Sequence, residues 1–267
     1  MSATGTINLE TSGKRKAPLA VGLHAVVRHL DLFSGIGGFA LACQMVGGIE
    51  TVAFCERDKF AQTILKKHWP NVPICNDIHE LKGDEYGTIE LITGGYPCQP
   101  FSTAGQRRGA EDDRHLWPEM RRIIETARPR WVLSENVVGH ITLGLDEVLS
   151  ELESIGYSAK ATVIPACALD ARHRRDRVWI LAGDTDRFDD NTLGTIQDDI
   201  ASASGEGWRL PAPGMDRGAD GLPEAVDRNY ALGNAIVPQI AAEIIRTMMR
   251  VAQMSNDKLS HGGRNEQ

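Results

Sequence analysis

One cysteine in this chain stands where a reactive thiol would be placed. The string Gly94-Gly95-Tyr96-Pro97-Cys98-Gln99-Pro100-Phe101-Ser102 follows an apolar run at 89–93. A thiolate suits an attack on a weakly electrophilic carbon from which it must later be released. Pro97 fixes its own φ just ahead of the cysteine, and Gly94 and Gly95 let backbone approach a ligand closely. The apolar run reads as a strand, and in open α/β sheets ligands bind beyond the carboxyl ends of the strands. An isolated cysteine is more often a small buried hydrophobe. That role does not require two prolines in a polar, glycine-rich loop.

Further residues with chemical potential lie on both sides of this loop. In Asp31-Leu32-Phe33-Ser34-Gly35-Ile36-Gly37-Gly38-Phe39-Ala40, Gly35, Gly37 and Ala40 fit G-x-G-x-x-G/A at a strand-to-helix turn. There the backbone can approach a nucleotide and a helix N-terminus faces it. Glu56 ends the next apolar run, placed to bond ribose hydroxyls, and Asp77 follows the apolar segment 72–75. These features suit a dinucleotide as well as a nucleoside. Ser134-Glu135-Asn136-Val137 follows the buried run Trp131-Val132-Leu133. An acid at the end of an apolar strand is partly desolvated, which favours its protonated form and suits a general acid. Arg172, Arg174, Arg175 and Arg177 crowd the start of another apolar run, and strand alternation puts Arg175 and Arg177 on one face. Arg107, Arg108, Arg114, Arg121 and Arg122 follow the cysteine loop. A charge run is usually only a solvated face, but both of these groups adjoin the best motifs.

These residues need a scaffold, and the hydrophobic pattern supplies one. Strands are expected at 26–33, 51–55, 89–93, 131–134, 157–164 and 177–181, with helices at 37–45 and 58–67. Leu145, Val148, Leu149, Leu152 and Ile155 form a helical stripe suited to core packing. A late helix is expected at 236–251, with Val237, Ile240, Ile244, Met248 and Val251 on one side. Strand–helix alternation of this kind implies an α/β fold: a mostly parallel, Rossmann-like sheet covered on both faces. The stretch 184–207 is polar and without a convincing period, and 208–223 is a loop rich in Pro and Gly.

Composition bounds the rest. The 267 residues, 42% apolar and 24% charged, are those of an ordinary globular protein with one sizeable core. No run approaches the roughly 18 apolar residues of a membrane span, and 1–18 has no apolar core of a secretory signal. The five cysteines, Cys43, Cys55, Cys75, Cys98 and Cys167, form no CxxC pair. That favours free thiols in a reducing cytoplasm and no metal site. A net charge of −7 points mildly away from nucleic acid without excluding it, since a basic face suffices.

The cysteine loop resembles the catalytic loop of the cytosine-C5 DNA methyltransferases, and further motifs follow in that family's order. Phe33-Ser34-Gly35-Ile36-Gly37-Gly38 resembles its S-adenosylmethionine loop, Glu56 and Asp77 its ribose and adenine contacts, and Glu135-Asn136-Val137 its ENV motif. Arg175 and Arg177 match the arginines of its Gln-x-Arg-x-Arg strand, with His173 where the family often has Gln. Ala231-Leu232-Gly233-Asn234-Ala235-Ile236-Val237-Pro238 resembles its C-terminal motif. The resemblance runs from about His29 to Val251 and implies a methyltransferase sheet that binds S-adenosylmethionine and acts on double-stranded DNA as a monomer.

It also implies site residues. Cys98 is the nucleophile, Glu135 the acid at the base edge, Arg177 the contact to the cytosine carbonyl, and Arg175 a phosphate or loop anchor. Phe33, Ser34, Gly35, Gly37, Gly38, Glu56, Asp77, Pro97 and Asn234 are the cofactor contacts. The expected organisation is a flexible tail at 1–25, a catalytic and cofactor domain at 26–183 and a short target-recognition region at 184–228. The C-terminal motif and its helix follow at 229–253, then a disordered tail at 254–267. Arg209, Arg217 and Arg228 are candidate base readers, and the compact form resembles phage-associated enzymes of restriction-modification type. A silent DNA-binding relative and the tRNA-methylating branch are the alternatives. A nicotinamide oxidoreductase is a distant fourth, since it explains neither Pro97-Cys98 nor the arginine strand.

Overall fold

The computed structural model describes residues 26–97, 116–165, 176–188, 190–203 and 235–262. Among them a single seven-stranded sheet contains β1 (Val27–Leu32), β2 (Ile49–Cys55), β3 (Ile74–Cys75), β4 (Leu91–Gly94), β5 (Trp131–Val137), β6 (Tyr157–Pro165) and β7 (Asp176–Asp184). The spatial order is β3-β2-β1-β4-β5-β7-β6. β1 to β5 are mutually parallel, whereas β7 runs antiparallel to both β5 and β6. Among the described residues six α-helices accompany the sheet: α1 (Gly38–Val46), α2 (Lys59–His68), α3 (Trp117–Ala127), α4 (Leu145–Ser154), α5 (Asp190–Ala203) and α6 (Pro238–Gly262).

Strands buried on both faces send alternate side chains to opposite cores. On β5, Val132 joins the core under α3 and α4, while Trp131 and Leu133 join the core under α1, α5 and α6. β7 divides in the same way, with Val178, Ile180 and Ala182 on one side and Trp179 and Leu181 on the other. Asp58 caps α2 by accepting the Ala61 N–H at 2.7 Å.

Three elements depart from the periodicity reading. Residues 190–203, expected to be aperiodic, form α5, with Leu193, Ile196 and Ile200 buried against the sheet and α6. The spacing of those three is helical, but Gly194, Thr195, Asp198 and Asp199 between them are weak helix formers and hide it. Packing against the core compensates for propensity here. α3 has no counterpart among the expected elements, because its apolar face of Trp117, Met120, Ile123 and Ile124 is interrupted by Arg121 and Arg122. α6 continues to Gly262, into the stretch expected as a tail.

If α5 belongs to the core, Ile196→Ala should lower unfolding stability by about 2–5 kcal/mol, the range for truncating a buried Ile or Leu. Urea denaturation of the two proteins measures this. A change within roughly 0.5 kcal/mol would mean that α5 is not docked.

Candidate active site

Chain direction gathers the site. The parallel strands β1 to β5 all end on one edge of the sheet, and the reversed β7 begins there. The segments leaving β1, β2 and β3 carry Phe33 to Gly38, Glu56 and Asp77, and β4 leads through Gly95 and Tyr96 to Pro97. Glu135 lies near the end of β5 and Arg177 near the start of β7.

The turn after β1 is built for close approach. Phe33, Gly35 and Gly37 all have positive φ, at 52°, 53° and 86°. Phe33 is the uncommon case, since a side chain disfavours that conformation. A Cβ on Gly37 would sit 2.5 Å from the Trp69 ring, whereas one on Gly35 would meet nothing within 4 Å. Gly35 therefore exposes bare backbone to open space, a cradle suited to a nucleoside ligand. The turn is tied to β2 through Ser34 N–H to Cys55 O at 3.1 Å, and Ser34 Oγ donates to Asp31 O at 2.7 Å. From the far end of the chain, Ile236 packs so closely on Gly38 that a Cβ there would lie 2.6 Å from its Cγ1.

Glu56 spans two segments. Its Oε2 accepts the Gly35 N–H at 2.6 Å and its Oε1 the Asp58 N–H at 2.7 Å. Desolvation raises its pKa above the usual carboxylate value, and these backbone donors oppose the rise. Each carboxylate oxygen has a second lone pair with which to accept a hydroxyl. Asp77 is exposed, and its Oδ1 accepts the His79 N–H at 3.0 Å.

On the other half of the edge, Glu135 is buried and its Oε1 lies 2.9 Å from Arg177 Nε. Register explains the pair: Val137 faces Arg177 and Glu135 faces Trp179, so the two side chains are diagonal neighbours on one face. A Cβ on Gly95 would come within 3.9 Å of Glu135 Oε2, so the loop towards Cys98 starts over this carboxylate. Asn136 Nδ2 donates to Tyr96 O at 3.1 Å and anchors that loop from below.

Several supporting residues had no sequence signal. Tyr96 is buried, its hydroxyl 2.7 Å from His140 Nε2 and its ring 5.1 Å from that of Trp117. Burial lowers the His140 pKa. Arg121 and Arg122, grouped in the sequence with the loop arginines, are committed within the protein. Arg122 bonds Glu119, Ile78 O and Leu81 O, and Arg121 lies 3.9 Å from Glu151. Cys98, Arg175 and Asn234 lie outside the described residues, as do His173, Arg209, Arg217, Arg228 and the tail 1–25.

Beneath the turn, β1, β2 and β4 share a buried polar chain. Thr93 Oγ1 donates to Asp31 Oδ1 at 2.9 Å and lies 2.7 Å from His29 Nε2, while His29 Nδ1 lies 2.9 Å from Thr51 Oγ1. Because the Thr93 hydroxyl proton points to Asp31, His29 must donate through Nε2 and accept through Nδ1. Burial lowers the His29 pKa from 6.5 to about 3. The unfolded chain therefore binds a proton below pH 6.5 that the fold refuses, and stability contributed by neutral His29 is lost as pH falls from 6.5 towards 3. Nitrogen-15 NMR should show the His29 ring as the neutral Nε2–H tautomer, unchanged between about pH 8 and 5. Titration near its ordinary pKa would disprove the closed network.

The chain is similar to known proteins. A family model for C-5 cytosine-specific DNA methylase matches residues 27–204. The chain is 37% identical over 160 residues to the type II methyltransferase M.CviJI of Paramecium bursaria Chlorella virus IL3A, covering 58% of this chain and 42% of that one. It is 31% identical over 160 residues to M.HgiBI of Herpetosiphon aurantiacus, covering 58% of this chain and 36% of the relative. The chain thus spans well under half the length of these relatives. A solved DNMT2 from Spodoptera frugiperda superimposes with a TM-score of 0.63 at 14% identity, covering 84% of this chain and 99% of that one; it attests the fold. The family match begins with β1 and ends just past α5, taking in the entire sheet and the strand ends that carry the site, and the chain belongs to the C-5 cytosine-specific DNA methylases.

Proposed function

We propose that this protein is a DNA cytosine-5 methyltransferase that works on a flipped cytosine through a transient bond between Cys98 and C6. The observation that carries the reading is the shared sheet edge. The open, glycine-lined turn with Glu56 lies at the ends of β1 and β2, and the Glu135–Arg177 pair at β5 and β7. Between them β4 leads towards Cys98. A nucleoside cofactor on one side and a base on the other would then meet above the cysteine loop.

S-adenosylmethionine, when bound, supplies an electrophilic methyl group on a positively charged sulfur. Phe33, Ser34, Gly35, Gly37, Gly38, Glu56, Asp77, Pro97 and Asn234 would hold it, with the Glu56 carboxylate accepting from the ribose hydroxyls. The chain's own chemistry concerns the base. Cytosine C5 is a poor nucleophile until a thiolate adds at C6 and makes C5 enamine-like. Cys98 provides that thiolate. Charge develops at N3 during the addition, and Glu135 hydrogen-bonds or protonates that edge. Arg177 donates to the cytosine carbonyl and holds Glu135 in place, while Arg175 anchors phosphate or loop. Once C5 carries its methyl group, loss of the C5 proton drives out the Cys98 thiolate. A base inside a duplex cannot reach such a site, so the target nucleotide must be extruded. The monomeric state, the cytoplasmic location and recognition of DNA through 184–228 are parts of the same proposal.

Glu135→Gln keeps the side-chain shape and removes the acid. Methyl transfer should fall on the order of 10²-fold or more, the scale of a general acid. Calorimetric titration with S-adenosylmethionine should give nearly the wild-type affinity. A large loss of cofactor affinity would remove Glu135 from this role.

The covalent step has its own test. In a duplex carrying 5-fluorocytosine at a site the protein methylates, fluorine cannot leave as a proton. With S-adenosylmethionine present, the complex should survive denaturing electrophoresis, and peptide mapping should place the link at Cys98. Cys98→Ser should give no adduct and no methylation, because a hydroxyl without a strong base is a far poorer nucleophile. Absence of the adduct on a duplex known to be methylated would defeat the mechanism.

A further inference from the structure

Two thiols face each other beside the cofactor turn. Cys55 ends β2 and Cys75 ends β3, and the parallel register pairs them directly. Residues paired in register on adjacent strands point to the same face, about 4.8 Å apart in the backbone. Both side chains belong to the core on the α3 and α4 side of the sheet, Cys55 buried and Cys75 half-buried at its margin. The Cys75 thiol donates to Asp77 O at 3.1 Å, and the Glu56 N–H donates to Cys75 O at 3.0 Å. The pair is therefore wired to the two segments that present Glu56 and Asp77. By contrast, Cys43 is enclosed beside His29, with a sulfur-to-Nδ1 distance of 3.5 Å.

We propose that Cys55 and Cys75 form a dithiol modification site, oxidised to a disulfide by low-molecular-weight disulfides, and that the closed form binds the cofactor more weakly. The second half rests on the reading of Glu56 and Asp77 as cofactor contacts. The backbone spacing lies within the roughly 4.4–6.8 Å that a disulfide bridges. β3 has only two residues and lies at the sheet edge, so it can make the remaining adjustment. A bond closed with some strain is easily reduced, the mark of labile rather than structural disulfides.

The order of events follows from access. Burial first, then the neighbouring Cys75 and the Glu56 and Asp77 carboxylates, hold Cys55 as a thiol. Cys75, the more exposed, attacks first. Its thiolate attacks one sulfur of oxidised glutathione; the S–S bond breaks, and the departing glutathione thiolate takes up the proton that Cys75 released. Cys55 then loses its proton, attacks the Cys75 sulfur and expels the second glutathione, which is protonated in turn. Two protein thiols are oxidised and one glutathione disulfide is reduced to two thiols. Closing the bond removes the Cys75 thiol proton and with it the hydrogen bond to Asp77 O, and draws the end of β3 towards β2.

The test uses the full chain exposed to graded ratios of oxidised to reduced glutathione, then alkylated and digested with trypsin. The link should join peptide 29–57 to peptide 68–82, with fragmentation placing it at Cys55 and not Cys43. Cys75→Ser should yield no linked species. Calorimetry should show S-adenosylmethionine affinity falling roughly tenfold or more on oxidation, the scale of one lost hydrogen bond to a charged group, and recovering with dithiothreitol. A glutathione adduct on Cys75 that persists at every ratio with Cys55 still alkylatable would overturn the pair. A linked protein with unchanged affinity would overturn the coupling, provided Glu56→Gln weakens binding. If Glu56→Gln also leaves affinity unchanged, the cofactor reading falls and takes the coupling with it, while the dithiol site stands.

Discussion

The direction of β7 is the constraint on which the rest of the site depends. A strand buried on both faces must satisfy its backbone groups with its neighbours, and β7 does so between β5 and β6. Entering antiparallel, it begins where β1 to β5 end. Arg177 therefore sits opposite Val137 and 2.9 Å from the Glu135 carboxylate. A parallel β7 would carry Arg177 to the far edge and leave Glu135 buried without this cation. Removing one partner of a buried pair strands the other charge, so this pairing bears on stability as well as on any chemistry at the edge.

The two halves of the edge are held differently. At β1 and β2, backbone amides do the work: Glu56 bridges the Gly35 and Asp58 N–H groups, and the turn sits on a closed polar chain of Asp31, Thr93, His29 and Thr51. Desolvation pushes the Asp31 carboxyl well above the usual range, opposed by its hydrogen bond from Thr93. At β4 and β5 the anchors are side chains. Asn136 grips Tyr96 O, and the Tyr96 ring is wedged between Trp117 and His140, so the loop leaves the sheet from a fixed point. A rigid origin is what a loop needs if a residue beyond it is to be aimed.

The helices complete this arrangement from distant parts of the chain. α6 packs on α1 through the core that also contains Leu193 and Ile196 of α5, and Arg246 reaches Met45 O at 3.4 Å. Ile236, just before α6, closes on Gly38, which has no room for a side chain. The C-terminal segment thus fixes the position of the glycine turn after β1 from outside, and α5 supports it through the same core.

Much of this was legible in order along the chain. The alternation of apolar runs and helical stripes specified an α/β sheet with helices on both faces, because periods of 2 and 3.6 residues are local properties of the backbone. The glycine spacing after Asp31 and the carboxylates at strand ends marked the residues of the edge for the same reason. Other features had no local signal. The helical character of 190–203 is decided by burial of three apolar side chains that outweigh poor intrinsic propensity. The inward turn of Arg122 depends on carbonyls of Ile78 and Leu81, some forty positions earlier in the chain. The Glu135–Arg177 pair, the Tyr96–His140 contact and the facing Cys55 and Cys75 exist only once strand order and register are set. The sequence by itself determined which residues could do chemistry and which elements carry them. The tertiary structure alone decided which of those residues meet, because contact between distant segments depends on the direction and register of strands that must satisfy one another's hydrogen bonds.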